Sequence, residues 1–213
     1  MTRLVWGATG SRNYEAGVDR GVLFPPNGAA GVPWNGLTSV NEEPSGGEPT
    51  AYYLDGIKYL QIASSEEYAA TIEALSAPAE FAVCDGTAAI YAGLFISQQP
   101  RKQFGFSYRT LLGNDIDADD HGYKLHLVYN ALAKPTSRDY ASLGASTDPM
   151  ALSWAITTVP PTVSGFKPSA HIVINSLTAT APHMTAVENI VYGSSTLIPR
   201  QPTIQELVTI FGS

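Results

Sequence analysis

The sequence has 213 residues, of which 44% are hydrophobic, and it carries a net charge of −7. This composition is typical of a folded chain and excludes an intrinsically disordered one. No apolar run approaches the ~20 residues that a membrane-spanning helix needs, so we expect no membrane insertion by this chain. The start, MTRLVWGATG, lacks the long apolar centre of a secretory signal. The single cysteine, Cys84, excludes an intramolecular disulfide and suits a reducing compartment.

The first half of the chain predicts strands, a long loop and a hairpin. Residues 2–6 and 17–24 have strand character, and residues 41–49 are acidic and rich in Gly and Pro, which predicts an extended loop. AYYL, Asp55-Gly56 and IKYLQI then predict a tight hairpin, because Asp-Gly tolerates the positive φ angles of a type I′ turn. Loops of this length in compact domains are usually functional.

Next comes the clearest predicted helix, over residues 66–75. Ser64 or Ser65 would cap it, and Tyr68, Ile72 and Leu75 recur at helical spacing. Further strands are predicted at 81–84 and 88–97, joined as a second hairpin, and at 104–108, 123–133, 152–159 and 169–175. Two short C-terminal helices are predicted at 184–192 and 203–211.

Strands outnumber helices and do not alternate with them, which argues against a parallel doubly wound sheet. About eight to ten strands predict a mainly β (α+β) chain, an antiparallel β-barrel or sandwich with one flanking α-helix. No linker or repeat divides the sequence, so residues 1–213 are expected to form a single domain.

Three patterns suggest chemistry, and each has a simpler explanation. Gly7-Ala-Thr-Gly10 resembles a dinucleotide-binding loop but lacks the third glycine and a following helix. The carboxylates of residues 115–120, with His121, offer oxygen ligands to calcium but break the EF-hand pattern, so a solvated loop tip is favoured. Cys84 with His126 or His171 forms a nominal nucleophile and base, yet nothing nearby in sequence lowers the pKa of the thiol. We therefore expect no cofactor, no metal and no enzymatic activity.

Aromatic residues are frequent along the predicted strands and raise the question of a stacking surface for sugars or bases. Packing within the core or between subunits explains them more simply, because they follow strand patterns. They are Trp34, Tyr52, Tyr53, Tyr59, Phe104, Phe106 and Tyr108.

Four blocks carry a family resemblance: GVDRGVLF (17–24), GVPWNGLTSVNEEPSGGEPTAYYLDGIKY (31–59), QQPRKQFGFSYRTLLGND (98–115) and GYKLHLVYNALA (122–133). They resemble the major tail protein, or tail tube subunit, of long-tailed phages that infect actinobacteria. The resemblance implies a β-barrel or sandwich of the tail tube type, with subunits that form hexameric rings stacked into a helical tube. The expected partners are the tape measure, tail terminator and distal tail proteins, with DNA only as non-specific transiting cargo. The expected location is the virion tail, after assembly in the host cytoplasm.

The same resemblance gives the loop and hairpin a role, as a ring-to-ring contact. The expected interface residues are Asn41, Glu42, Glu43, Pro44, Ser45, Gly46, Gly47, Glu48, Tyr52, Tyr53 and Asp55. Negative charge suits a conduit because carboxylates repel phosphate, and Lys and Arg total only 12 against 19 acids. Asp115, Asp117, Asp119 and Asp120 are the candidate acids of the lumen or rim.

The composition also fits other functions. The alternatives are a carbohydrate- or receptor-binding β domain of a phage tail tip, a secretion-system tube protein, and a hydrolase whose site is assembled from distant residues.

Overall fold

The computed structural model describes residues 3–140, 142 and 149–212. In this part of the chain, fourteen strands precede two α-helices. The strands are β1 (Tyr14–Phe24), β2 (Val32–Pro33), β3 (Leu37–Glu42), β4 (Ser45–Gly46), β5 (Pro49–Leu54), β6 (Ile57–Ala63), β7 (Glu66–Glu67), β8 (Ala69–Ala74), β9 (Ala88–Tyr91), β10 (Leu94–Ile96), β11 (Phe104–Asn114), β12 (Ala118–Ala133), β13 (Leu152–Thr158) and β14 (His171–Asn175). The helices are α1 (Ala181–Val191) and α2 (Ile204–Phe211), and short 3-10 helices lie at Pro26–Gly28 and Ala79–Val83.

One curled antiparallel sheet dominates the fold, with strand order β2-β1-β11-β12-β13-β8-β3 and β14 paired to β12. Strand β12 pairs with two strands along one edge, with β14 through residues 124–128 and with β13 through residues 131–133. The curl brings β3 back towards β1, where a Cβ on Gly21 would lie 3.0 Å from Cδ2 of Leu37. The prediction of a mainly β, antiparallel chain is confirmed, but among the described residues no β1–β3 ladder closes the sheet into a barrel.

A first core fills the inside of the curl. Trp34, Phe81 and Trp154 pack together there, with ring centroids 4.7–5.6 Å apart; Trp154 meets the other two edge to face, and Trp34 and Phe81 are tilted by 52°. Phe104 and Phe106 alternate inward from β11, as the period of a strand requires. The aromatic residues Trp34, Phe104, Phe106 and Tyr108 are thus buried in packing, as the simpler explanation predicted.

A second core lies on the opposite face of the sheet. Leu125 and Leu127 of β12 pack there against Val187 and Val191 of α1 and Leu207 of α2. The two predicted C-terminal helices are confirmed, and both cover the chain's own sheet. Helix α1 begins three residues earlier than predicted, because Thr180 accepts from the amide of His183 as its N-cap.

The predicted helix at 66–75 is wrong, because this segment forms β7 and β8. Ala70, Ile72 and Ala74 are buried while the residues between them are only partly buried, which is a period of two. Strand β8 pairs with β13 on one side and β3 on the other. Tyr68 and Ile72 lie four residues apart, a spacing that places them on one face in either structure, and the two strand partners decide the outcome.

Two other local predictions also fail. Residues 3–6 form no strand, and residue 2 lies outside the described residues. Residues 81–84 belong to a 3-10 helix and the turn after it, which follow Pro78, and bury Phe81 and Cys84 in the first core. The second hairpin is instead β9–β10, which turns at Gly93 with φ of 82°. Among the described helices, none is long and apolar enough to cross a bilayer.

Candidate functional site

A long two-stranded ribbon leaves the sheet where β3 ends and β8 begins. Its pairing continues through β4–β7 to β5–β6, so that residues 49–63 form a hairpin arm. The register is unchanged from Ser39 opposite Glu73 to Tyr52 opposite Leu60, with each step along one strand matched on the other. The ribbon strand from Glu43 to Leu54 is roughly 40 Å long, at ~3.3 Å per residue.

The prediction of an irregular loop at 41–49 is therefore wrong, because most of this segment belongs to the ribbon. Asn41 and Glu42 belong to β3, and the amide of Glu43 donates to the carbonyl of Ala69 at 2.8 Å. Glycines still matter here, since Gly46 has φ of 82° and a Cβ on it would lie 2.3 Å from the carbonyl oxygen of Ser65. Only a residue without a side chain fits that close approach.

The arm has one apolar face. Directly opposed residues in an antiparallel pair point to the same side, and so do alternate residues along one strand. These two rules place five large side chains on one face, each between 48% and 66% exposed. They are Tyr52, Leu54, Ile57, Leu60 and Ile62. Their exposure shows that the described chain supplies little cover for them.

The opposite face of the arm is more polar. It carries Tyr53, Lys58 and the opposed pair Ala51 and Gln61, and the Lys58 ammonium donates to the Gln61 side chain. The irregular pairing at Tyr53–Lys58 leaves Tyr59 as the extra residue of a bulge.

The predicted hairpin turn is confirmed at the tip of the arm. Asp55 and Gly56 both have positive φ, 51° and 76°, which is the backbone of a type I′ turn.

The predicted interface residues all lie along the ribbon, from its base at Asn41 to its tip at Asp55. Leu54, Ile57, Leu60 and Ile62 were not among the residues predicted from the sequence. The signal was available in the alternation of large apolar residues on both sides of Asp55-Gly56.

The four candidate lumen acids lie where β11 turns into β12, and several hold structure together. Asp115 accepts from the amides of Gly10 and Arg12 at 3.0 and 3.3 Å, which anchors the N-terminal segment. Asp119 accepts from the Tyr14 hydroxyl at 2.8 Å, and Asp117 lies 3.0 Å from the His121 ring. For Asp120 the structure shows only a backbone bond, from its amide to the Asp117 carbonyl.

A different cluster forms at the base of the arm. Nδ1 of His126 lies 3.1 Å from Nε2 of His171, and Oε1 of Glu42 lies 3.6 and 3.7 Å from those two nitrogens. The Tyr108 hydroxyl donates to the same Glu42 oxygen at 2.5 Å. Tyr108 stacks on His126, and Tyr68 packs on His171, with ring centroids 4.5 and 4.4 Å apart.

Burial governs the charge of this cluster. It lowers the pKa of His126 to about 4 and also lowers that of His171, so both imidazoles are neutral at pH 7. Burial likewise raises the pKa of Tyr68 and Tyr108, which keeps both phenols protonated. The three convergent atoms of Glu42, His126 and His171 are therefore a carboxylate oxygen and two neutral imidazole nitrogens.

The other sequence candidates do not assemble into sites. Cys84 is fully buried in the first core, and burial raises the pKa of its thiol to about 11, which keeps it protonated. Gly7 and Gly10 lie in irregular chain before β1, with no helix following them. The sequence suggested His126 and His171 only as bases for Cys84 and gave no sign that Glu42 lies beside them.

Comparison with known proteins gives structural likenesses only. No protein-family model matches the chain, and no curated protein matches it. A chain of the sheath–tube complex of the extracellular contractile injection system PVC, in its extended state, is 15% identical at a TM-score of 0.36, covering 73% of this chain and 88% of that one.

Two further likenesses are of the same kind. The tube-terminating cap of the anti-feeding prophage is 12% identical at a TM-score of 0.36, covering 83% of this chain and 97% of the other. The sheath/tube terminator of the PVC system is 15% identical at a TM-score of 0.35, covering 76% and 97%. TM-scores below 0.5 are too low to assign a function to this chain.

Proposed function

We propose that this chain is a tail tube subunit, a structural virion protein without catalytic activity. Residues 1–213 act as one tail tube domain that forms hexameric rings, and the rings stack into a helical tube for genome delivery. The subunit assembles in the host cytoplasm and resides in the virion tail, next to the tape measure, tail terminator and distal tail proteins. The four sequence blocks that resemble major tail proteins support this proposal.

The observation that carries the proposal is the uncovered apolar face of the arm. A two-stranded hairpin is marginally stable alone in water, and soluble monomers rarely present contiguous apolar surface on such an element. A second copy of the chain is the occupant that a self-assembling subunit provides. When the contact is head-to-tail and its geometry does not close on itself, it propagates as a filament.

Docking of the arm has an energetic scale that suits assembly. Burying a Leu or Ile side chain completely is worth ~1.5–3 kcal/mol relative to full exposure, and these side chains are about half-exposed. Five of them therefore offer about 5 kcal/mol per arm before the costs of ordering. Six arms in each ring contact would make the tube stable, while a single arm contact between free subunits stays weak.

The side-by-side contact within a ring is proposed to use sheet edges. Strands β2 and β3 end the main sheet, and among the described strands β14 pairs only with β12. Unpaired edges bind other strands through their backbone amides and carbonyls. Pairing of such edges around a ring would continue the sheet from subunit to subunit.

Negative charge is proposed to keep the tube wall from holding DNA. Asp120 is the best probe of the four candidate acids, because the structure shows no side-chain bond to it. Replacing Asp120 with Lys is expected to slow genome ejection while tubes still form. Unchanged ejection kinetics in normal tubes would contradict this part of the proposal.

The deciding experiment is negative-stain microscopy and light scattering of the purified full chain. We expect rings and long tubes, and we expect only rings or monomers when residues 49–63 are replaced by a short Gly-Ser turn. A chain that stays monomeric under all conditions and binds a glycan saturably would overturn the proposal. Tube formation without the arm would remove the arm from the ring-to-ring contact.

A further inference from the structure

The cluster at the base of the arm has an arrangement of donor atoms that metal ions require. Among the described residues, Glu42, His126 and His171 form the group whose ligand atoms all lie within 4.8 Å of one another. Two imidazole nitrogens and one carboxylate oxygen are a donor set that suits zinc and related divalent transition metals. The side chains of His126 and His171 are only 8% and 15% exposed, while that of Glu42 is 40% exposed.

The spacing of the three atoms fits a shared ion. Zinc binds imidazole and carboxylate at ~2.0–2.2 Å in a tetrahedron, which sets neighbouring ligand atoms about 3.3–3.6 Å apart. The observed separations are 3.1, 3.6 and 3.7 Å. Small movements of these side chains would place all three atoms at bonding distance from one ion.

Hydrogen bonds around His126 direct its free nitrogen to the cluster. The Thr110 hydroxyl donates to Glu15 at 2.5 Å, so its oxygen accepts at 3.1 Å from Nε2–H of His126. Nδ1 of His126 is then left with its lone pair, which accepts from Nε2–H of His171 at 3.1 Å. A bound ion would replace that proton, and neutral His171 would carry its proton on Nδ1 instead. Metal-binding histidines are normally held this way, by a hydrogen bond from the second ring nitrogen.

The carboxylate has comparable support. The Tyr108 hydroxyl holds Glu42 Oε1, and Tyr108 itself is buried and stacked on His126. An outer contact of this kind orients a ligand without binding the ion.

We propose that Glu42, His126 and His171 bind one zinc-class divalent cation at the base of the arm. The fourth position belongs to water or to a group entering through the cleft of about 1050 Å³ that Tyr68 and His171 line. The ion joins the end of β3, where the ribbon leaves the sheet, to β12 and β14, and so fixes the base of the arm. This site stands independently of any role in a tail tube.

The test is titration of the metal-stripped full chain with zinc, followed by calorimetry, and with cobalt, followed by visible absorption. We expect one equivalent to bind, with the intense visible bands of tetrahedral cobalt and a rise in melting temperature. Glu42→Gln and His171→Gln should weaken binding at least 100-fold. Tyr108→Phe, which keeps the ring, should weaken it by about 10–100-fold through loss of outer-shell support.

The matched control is His121→Gln. His121 lies beside Asp117 in the acidic turn, which is the rival place for a cation, and this variant should bind zinc like the wild type. Glu42 is partly exposed, so Glu42→Gln should fold, and circular dichroism will verify this for every variant. Absence of one-equivalent binding, undiminished binding by folded Glu42→Gln and His171→Gln, or loss of binding in His121→Gln would each overturn the proposal.

Discussion

The apolar face of the arm gives a prediction in which assembly and folding respond differently. Leu54 and Ile57 flank the tip of the arm, oppose each other directly and are 54% and 66% exposed. Replacing both with Ser should raise the critical concentration for polymerisation strongly. The free energy of global unfolding should change little, because these side chains lie outside both cores.

The magnitude comes from the exposed area that docking would bury. Each side chain can still gain about half of the ~1.5–3 kcal/mol of complete burial, so the pair contributes about 2 kcal/mol per arm contact. At 1.4 kcal/mol for each factor of ten, this is about a 30-fold change per contact. The cross-strand pair itself contributes ~0.2–1 kcal/mol to the hairpin, which is lost locally.

Sedimentation of polymer at a series of protein concentrations measures the critical concentration, and chemical denaturation measures folding. The matched control is Ala51→Ser with Gln61→Ser, a directly opposed pair on the other face of the same ribbon. Equal critical concentrations for the two double variants would refute the docking role of the apolar face. So would a Leu54 and Ile57 variant that loses as much global stability as a core variant.

Four further predictions concern stability and charge. Trp154→Ala should cost about 3–5 kcal/mol in chemical denaturation because Trp154 is fully buried, whereas exposed Trp6→Ala should be neutral. Gly46→Ala should speed proteolysis within the arm more than Gly56→Ala, because both positions have positive φ but only the first Cβ meets the paired strand. The Arg200 guanidinium lowers the pKa of Glu206 to about 2. The wild type should therefore be more stable than Glu206→Gln above pH 4.5, and it should lose this advantage as the pH falls towards 2. A difference in unfolding free energy between the two proteins that stays constant from pH 6 to pH 2 would contradict this. Added NaCl should lower the critical concentration for polymerisation by screening repulsion between acidic subunits, and a rise with salt would contradict the charge argument.

The parts of the fold that the sequence predicted are those that depend on local signals. Asp55-Gly56 fixes its hairpin through backbone angles that few other pairs tolerate. Helix α2 begins where Thr203 and Glu206 form a capping box, and both residues lie within one turn. Strand β11 shows its alternation directly in Phe104, Phe106 and Tyr108.

The errors come from segments whose structure depends on distant partners. Residues 69–74 fit a helix or a strand by spacing alone, and pairing with β13 decides in favour of the strand, although β13 begins nearly eighty residues later. The ribbon could not be predicted from the sequence for the same reason. Its Gly and Pro residues indicate irregular chain when taken alone, but they are compatible with two strands that already share a register.

The cluster at the base of the arm could not be predicted from the sequence at all. Glu42, His126 and His171 come from three strands, and no spacing rule connects them. Only the order of the curled sheet, with β14 beside β12 and the end of β3 close by, brings their donor atoms together.

The arm combines an apolar face with a surplus of acids, and under the proposed function both would favour a contact made only in an assembly. Its apolar face alone would promote indiscriminate association. Both strands of the ribbon and its tip also carry acids, however, and residues 43–68 contain one cation, Lys58. These acids are Glu43, Glu48, Asp55, Glu66 and Glu67. We therefore expect two free arms to repel each other at low salt, which weakens a single apolar contact between them. The proposed ring would present several complementary surfaces at once and so raise the effective concentration of every arm after the first, and we expect docking to become favourable when many contacts form together.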